Sequence, residues 1–180
     1  RRYLARVFTG STVPAINDDF ASRTPLSGAQ LATTADNSCA TKQAGEPDHD
    51  DNEGGKSLWW SWTAPGDGLV TLSTCGSEFD TVLAAYAGSV LDALTMVASD
   101  DQSRCGGIDG NQSKISFAVT NGVTYQIVVD GYRYFGDLLP DSGRVTLNLA
   151  FATNDSFAGR VPLTGTNVTV TGNNSAATKE

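Results

Sequence analysis

The chain holds a single histidine, His49, and it lies inside the densest acidic run, Glu46-Pro47-Asp48-His49-Asp50-Asp51-Asn52-Glu53. A Ser-His-Asp or Cys-His nucleophile system would have to use this imidazole. No nucleophile-elbow motif stands near it, and a zinc site would need a second histidine or a CxxC pair that the sequence lacks. The expected place for His49 is therefore a surface loop. The carboxylates of Glu46, Asp48, Asp50, Asp51 and Glu53 repel one another, and a hard cation with oxygen ligands would relieve that, which makes Ca2+ the candidate cofactor. Asp18-Asp19 and Asp100-Asp101 could add oxygens if the fold brings them close. The spacing is not that of an EF-hand loop, and the alternative is a solvated acidic loop. Asp80 opens one apolar run and Asp130 ends another, so they are the residue types of a glycosidase pair. Nothing marks a substrate cleft between them, and their expected role is to bond the backbone of turns. No residue is assigned a catalytic role.

Aromatic residues give the second group of candidates. In Leu58-Trp59-Trp60-Ser61-Trp62-Thr63, period-two geometry puts Leu58, Trp60 and Trp62 on one face and Trp59 on the other. The triple face is expected in the core. Trp59 and the Tyr132-Arg133-Tyr134-Phe135 segment are the expected exposed patch, a surface for a ligand or partner such as a matrix polysaccharide or protein. Three cysteines, Cys39, Cys75 and Cys105, leave one over if two pair.

The elements that must position these residues read as β-strands. The 180 residues include 19 glycines and carry a net charge of -8, and short apolar runs alternate with Ser, Thr, Asn, Asp and Gly. That is how an all-β domain with many turns reads. Strands are expected over 58–63, 69–74 (as the hairpin partner of 58–63), 80–86, 94–99, 114–119, 123–130 after the Asn121-Gly122 turn, and 144–151. One or two more are expected around 29–34, about eight in all, with one helical turn near 90–94. Turn-length connections favour antiparallel pairing in a sandwich or jelly roll. The acidic balance excludes a phosphate-binding stripe and hence nucleic acid. No apolar run approaches the length needed to insert into a membrane.

An internal repeat organises the chain. Residues 17–43, NDDFASRTPLSGAQLATTADNSCATKQ, align without a gap to residues 154–180, NDSFAGRVPLTGTNVTVTGNNSAATKE. The matched order NDxFAxRxPLxG is more specific than shared turn-rich composition. The expected organisation is an arm or the tail of a preceding module at 1–16, one whole repeat at 17–153, and the opening strands of a second at 154–180. The chain opens at Arg1 without an initiator methionine and reads as part of a longer polypeptide. A piece of one or two strands cannot bury its own apolar face. It must dock on the preceding domain, be completed by another chain, or stay loose. Val168 and Val170 alternate with polar residues and are the candidate donor strand.

The segments NDDFA, PLSG, GEPDH, GGKSLWWSWTAPGDG, TCGSEFDTVLAAYAG, SDDQSRCGG and YQIVVDGY resemble bacterial pre-peptidase C-terminal domains over nearly all of 17–151. The version they resemble occurs in tandem in large secreted and surface proteins. The resemblance implies a jelly-roll-like antiparallel β-sandwich, a bacterial extracellular or cell-surface setting, and no catalysis. In that compartment Cys75 and Cys105 are expected to bond, and the resemblance supports the same pair. Cys39 is then either a buried small apolar residue or a link between chains. Two functions stay open: a structural module of a surface or fibre-forming protein that assembles by strand complementation between repeats or subunits, and a matrix- or carbohydrate-binding accessory domain of a secreted hydrolase.

Overall fold

The computed structural model describes residues 15–103, 105, 111–152 and 163–169. Within them lie nine strands: β1 (Thr24–Leu26), β2 (Gln30–Asp36), β3 (Leu58–Thr63), β4 (Gly68–Ser73), β5 (Thr81–Ala87), β6 (Thr95–Asp100), β7 (Lys114–Val119), β8 (Thr124–Gly131) and β9 (Arg144–Ala152). They form a five-stranded sheet in the order β1-β3-β8-β5-β6 and a four-stranded sheet in the order β2-β9-β4-β7. Apolar side chains from both sheets share one core, including Leu58, Trp60, Trp62, Leu83, Ile127 and Val129 from the first and Val70, Leu72, Ile115, Val145 and Leu147 from the second. The molecule is an all-β sandwich, as expected.

Strand positions match the alternation in the sequence closely, but three pairings differ from expectation. β3 and β4 are not a hairpin: β3 pairs with β8 and β4 with β7 and β9. The Ala64–Asp67 turn carries the chain from one sheet to the other. The Asn121-Gly122 turn does the same between β7 and β8, with Gly122 at φ +76°. Third, β1 adds to β3 in parallel, Thr24 facing Trp60 and Leu26 facing Trp62. Pro25 is tolerated there because β1 is an edge strand. The helical turn expected near 90–94 is a 3₁₀ turn at Leu91–Ala93, and a second 3₁₀ turn spans Phe20–Ser22.

Cys75 and Cys105 are bonded, with Cα atoms 5.4 Å apart and a sequence separation of 30. Beside Cys75, the buried hydroxyls of Thr74, Thr81 and Ser113 close a small polar network, Thr74 to Thr81 at 2.6 Å and Thr81 to Ser113 at 3.0 Å. Of the expected second repeat, only 163–169 are described. They hold no strand, and Val168 is 45% exposed. Val170 and residues 1–14 of the expected arm lie outside the described residues.

Candidate functional site

The five-stranded sheet has a second apolar layer on its outer face. Trp59, Ala84, Tyr86 and Val128 point away from the main core and are covered by Phe20, Leu91 and Leu94. Trp59 is therefore not an exposed aromatic: it is fully buried. Its neighbours are Phe20, edge-on at 5.1 Å, and His49 at 5.5 Å between ring centroids. The period-two rule placed Trp59 on the correct face, but loops cover that face and exclude water from it.

The NDxFAxR motif makes part of this cover. Asn17 donates its amide to the Trp59 carbonyl at 3.0 Å and accepts the Trp59 N–H on its own backbone carbonyl at 2.9 Å. Asp18 accepts the Thr41 N–H at 2.7 Å. Phe20 packs on Trp59, and the Arg23 guanidinium sits 4.3 Å from the Phe20 ring centre. The motif is thus a docking device for β3.

The acidic run supplies the rest of the cover, and it carries His49 inward rather than to the surface. His49 is 1% exposed. Its Nε2 lies 3.0 Å from Glu46 Oε1 and its Nδ1 2.7 Å from the Tyr86 hydroxyl. Glu46 also accepts the Gln43 N–H on Oε2. One proton arrangement satisfies every atom: Nε2–H donates to Glu46, and Tyr86 O–H donates to Nδ1. Burial and the nearby Glu46 push the Tyr86 phenol well above its ordinary range, which keeps that donor proton in place. Asp130 completes the cluster. Its carboxylate accepts N–H bonds from Lys56 at 2.7 Å, Gly131 at 2.7 Å and Gly55 at 2.9 Å. Burial raises its carboxyl group, and the three N–H donors and His49 oppose that rise. A Cβ at Gly54 would meet Asp130 Oδ2 at 1.9 Å, and Gly54 has φ +52°, so the loop fits only with glycine there. Asp130 bonds turn backbone, as expected of it.

Glu46, His49 and Asp130 each place a potential ligand atom within 4.8 Å of the others. They are a metal-compatible donor set by type, yet each is already occupied by the bonds above. The other carboxylates of the run do not converge with them. Asp48 pairs with Lys42, Asp50 accepts the Ser99 hydroxyl at 2.6 Å, and Glu53 pairs with Arg133 at 3.0 Å. Asp51 is exposed. Four of the five acidic residues expected to share a calcium ion thus have separate partners, and the turn at 49–52 has left-handed backbone at Asp50 (φ 53°) and Asp51 (φ 59°).

The second loop at this end of the sandwich is 131–141, which holds the other expected partner residues. Asn52 clamps it, accepting the Arg133 N–H at 3.0 Å and donating to the Arg133 carbonyl at 3.3 Å. Tyr132 N–H bonds the Asp80 carbonyl at 2.8 Å, and Asp141 N–H bonds the Tyr132 carbonyl at 2.9 Å. The Tyr134 hydroxyl donates to Asp80 Oδ2 at 2.6 Å. That bond is the largest reason the Tyr134 phenol is pushed up to about 12. Asp80 is buried, and among the described residues its Oδ1 has no hydrogen-bond partner; desolvation raises its carboxyl group, with Asp141 and Asp101 adding to the rise. Tyr132 is half-buried against Tyr134, their ring centres 4.8 Å apart, whereas Tyr134 and Phe135 are exposed. Leu138 and Leu139, which sequence reasoning did not single out, are exposed beside them. Their apolar type in a loop followed by Pro140 was the available clue.

The sandwich is structurally similar to a pre-peptidase C-terminal domain. One matched structure is that domain of a collagenase from Bacillus anthracis, at 13% identity and TM-score 0.41, covering 72% of this chain and 94% of that one. The periplasmic g-type lysozyme inhibitors PliG of Aeromonas hydrophila and Salmonella Typhimurium are similar at 12% identity each, with TM-scores of 0.42 and 0.37. Each covers 72% of this chain, and the match takes in 96% and 98% of the inhibitors. No family model matches the chain, and no curated protein matches it. Among the described residues no helix is long and apolar enough to cross a membrane.

Proposed function

We propose that the chain is a non-catalytic extracellular structural module of a surface or fibre-forming protein, built of repeats that assemble by strand complementation. One observation carries this reading. In the first copy, the residues of the repeated motif are those that dock on the Trp-rich strand β3: Asn17 on the Trp59 backbone, Phe20 on the Trp59 ring, and Thr24–Leu26 alongside Trp60–Trp62. The same motif recurs in the sequence 137 positions later. The second motif, Asn154, Asp155, Phe157, Arg160, Pro162 and Leu163, carries the same docking chemistry and fits the β3 strand of another repeat or subunit. A pairing of that kind satisfies backbone groups and buries apolar side chains together. The disulfide favours an oxidising, extracellular compartment. The buried, fully engaged His49 favours a structural rather than a catalytic role for the single histidine.

The test is the association state of the full chain with concentration, read by sedimentation together with amide exchange over 160–175. The expected outcome is reversible association that protects this segment and is abolished by Phe157→Ser with Leu163→Ser. A chain that stays monomeric at every concentration, with free exchange over 160–175, ends the reading.

A further inference from the structure

Phe135, Leu138 and Leu139 are 108%, 90% and 72% exposed, three large apolar side chains within five residues. Scattered exposed apolar residues are ordinary, but a contiguous group marks a contact surface. Their exposure does not come from a slack loop. Asn52 holds Arg133 from below, and Asp80 holds Tyr132 and Tyr134. Inside the loop, Asp137 N–H bonds the Tyr134 carbonyl at 3.0 Å and Arg133 Nε–H bonds the Asp137 carbonyl at 3.1 Å. Pro140 is buried and fixes the exit. A loop tied at both ends and across its middle cannot fold its tip back onto the sandwich. It presents the apolar side chains already ordered, which lowers the entropy lost on binding.

Beside the tip runs a groove of about 550 Å³, lined on its far wall by Asp51, Asn52 and Glu53. Glu53 is neutralised by Arg133. Asp51 and Asp137 are exposed and make no side-chain hydrogen bond or ion pair among the described residues. Asp51 sits at a left-handed position, so the turn that aims it is itself an unusual backbone. The surface therefore combines an apolar tip with uncompensated negative charge, on a chain whose net charge is -8. We propose that it docks a cationic polypeptide that offers an apolar side chain between lysines or arginines. A glycan fits less well, because Tyr132 and Tyr134 turn their rings onto each other, which leaves Phe135 as the single free ring of the tip, and Leu138 and Leu139 offer sugars neither a flat face nor a hydrogen bond. An anionic membrane would be repelled by the same carboxylates. This surface does not depend on the strand-complementation reading.

The experiment uses the full chain and a fluorescent synthetic peptide alternating lysine with leucine and phenylalanine, read by anisotropy. Three controls accompany it: the peptide with serine for the apolar residues, the peptide with glutamate for lysine, and a soluble neutral β-glucan. Saturable binding is expected for the first peptide alone. Phe135→Ser with Leu138→Ser should weaken it at least about tenfold, and Asp51→Asn with Asp137→Asn roughly threefold, an effect that shrinks at high salt. Both pairs are exposed, so the melting temperature should hold, which separates lost binding from lost fold. Equal binding by the serine peptide, by the glutamate peptide or by the variants would overturn the proposal. So would retention of the β-glucan in place of the cationic peptide.

Discussion

The two sheets of this sandwich meet water differently. The four-stranded sheet buries one face, and its strands alternate accordingly: in β7, Ile115, Phe117 and Val119 point inward while Lys114, Ser116 and Ala118 are exposed. The five-stranded sheet buries both faces of its central strands. Its β5 is buried from Thr81 to Tyr86 without a break, and β8 from Tyr125 to Gly131. Among the described residues, the buried side-chain atoms without a partner are Trp59 Nε1, Asp80 Oδ1 and Gln126 Oε1. The strand register puts Trp59 and Gln126 on the outer side of the five-stranded sheet, and Asp80 directly precedes β5. The core between the sheets is apolar and well satisfied. The layer beneath the loops is polar, aromatic and less completely bonded, and those same loops carry the candidate binding surface. A scaffold and a functional cover are thus built on opposite faces of one sheet.

The largest expected effect tests whether this second layer is a true core. Trp59→Ala removes a fully buried indole that contacts Phe20, His49 and Tyr86. If the cover is integral to the fold, the loss should be about 3–5 kcal/mol, the usual cost of deleting a large buried aromatic, measured by urea unfolding. A loss below about 1 kcal/mol would mean that the cover opens easily, and that the two faces are more unequal than their burial suggests.

The same contrast decides what could be read from residues alone. β7 and β9 were legible because one face of each meets water, so apolar and polar residues alternate. The inward set of β3 was legible too, since Leu58, Trp60 and Trp62 are the bulky half of a period-two pattern. The burial of Trp59 was not, because what covers it comes from Phe20, 39 positions earlier, and from the loop at 46–52. His49 was misplaced for a related reason. A histidine among aspartates reads as solvated, yet its second partner, Tyr86, lies 37 residues away. The Glu46–His49 spacing was the one local clue. Sheet membership was hidden because a four-residue turn after β3 reads the same whether it closes a hairpin or crosses between sheets. The disulfide was legible because compartment, rather than geometry, decides whether cysteines pair.

A smaller effect sharpens the comparison through pH. Asp80 lies on the covered side, where desolvation raises its carboxyl group above the ordinary carboxylate value. A raised folded value means that the folded state holds its proton more tightly than the unfolded chain. Its cost to stability is therefore absent at pH below the unfolded value and grows as pH rises through the folded value. Asp80→Asn keeps an acceptor for the Tyr134 hydroxyl and removes the charge. The variant should be more stable than the wild type at pH 7, with the difference closing as pH falls through the carboxylate range. Melting temperatures across pH 3–8 read it. A variant that is less stable at pH 7 would show that the Asp80 charge is compensated.

The smallest effect belongs to the open face. Thr71 and Ser116 face each other across β4 and β7, their hydroxyls 2.8 Å apart on the solvent side of the four-stranded sheet. Water can replace either partner there, so the bond adds little net stability. Thr71→Val keeps the β-branched shape that suits a strand and removes the hydroxyl, leaving Ser116 free to bond solvent. The change in unfolding free energy should stay within about 0.5 kcal/mol. Thr81→Val makes the same substitution at a fully buried threonine of β5, whose hydroxyl bonds Thr74 and Ser113. Its cost should be about 1–3 kcal/mol, because the partners are left unsatisfied out of reach of water. Equal losses at the two sites would mean that the open face of the four-stranded sheet is as dry as the space between the two sheets, and the contrast between open and buried faces would fall.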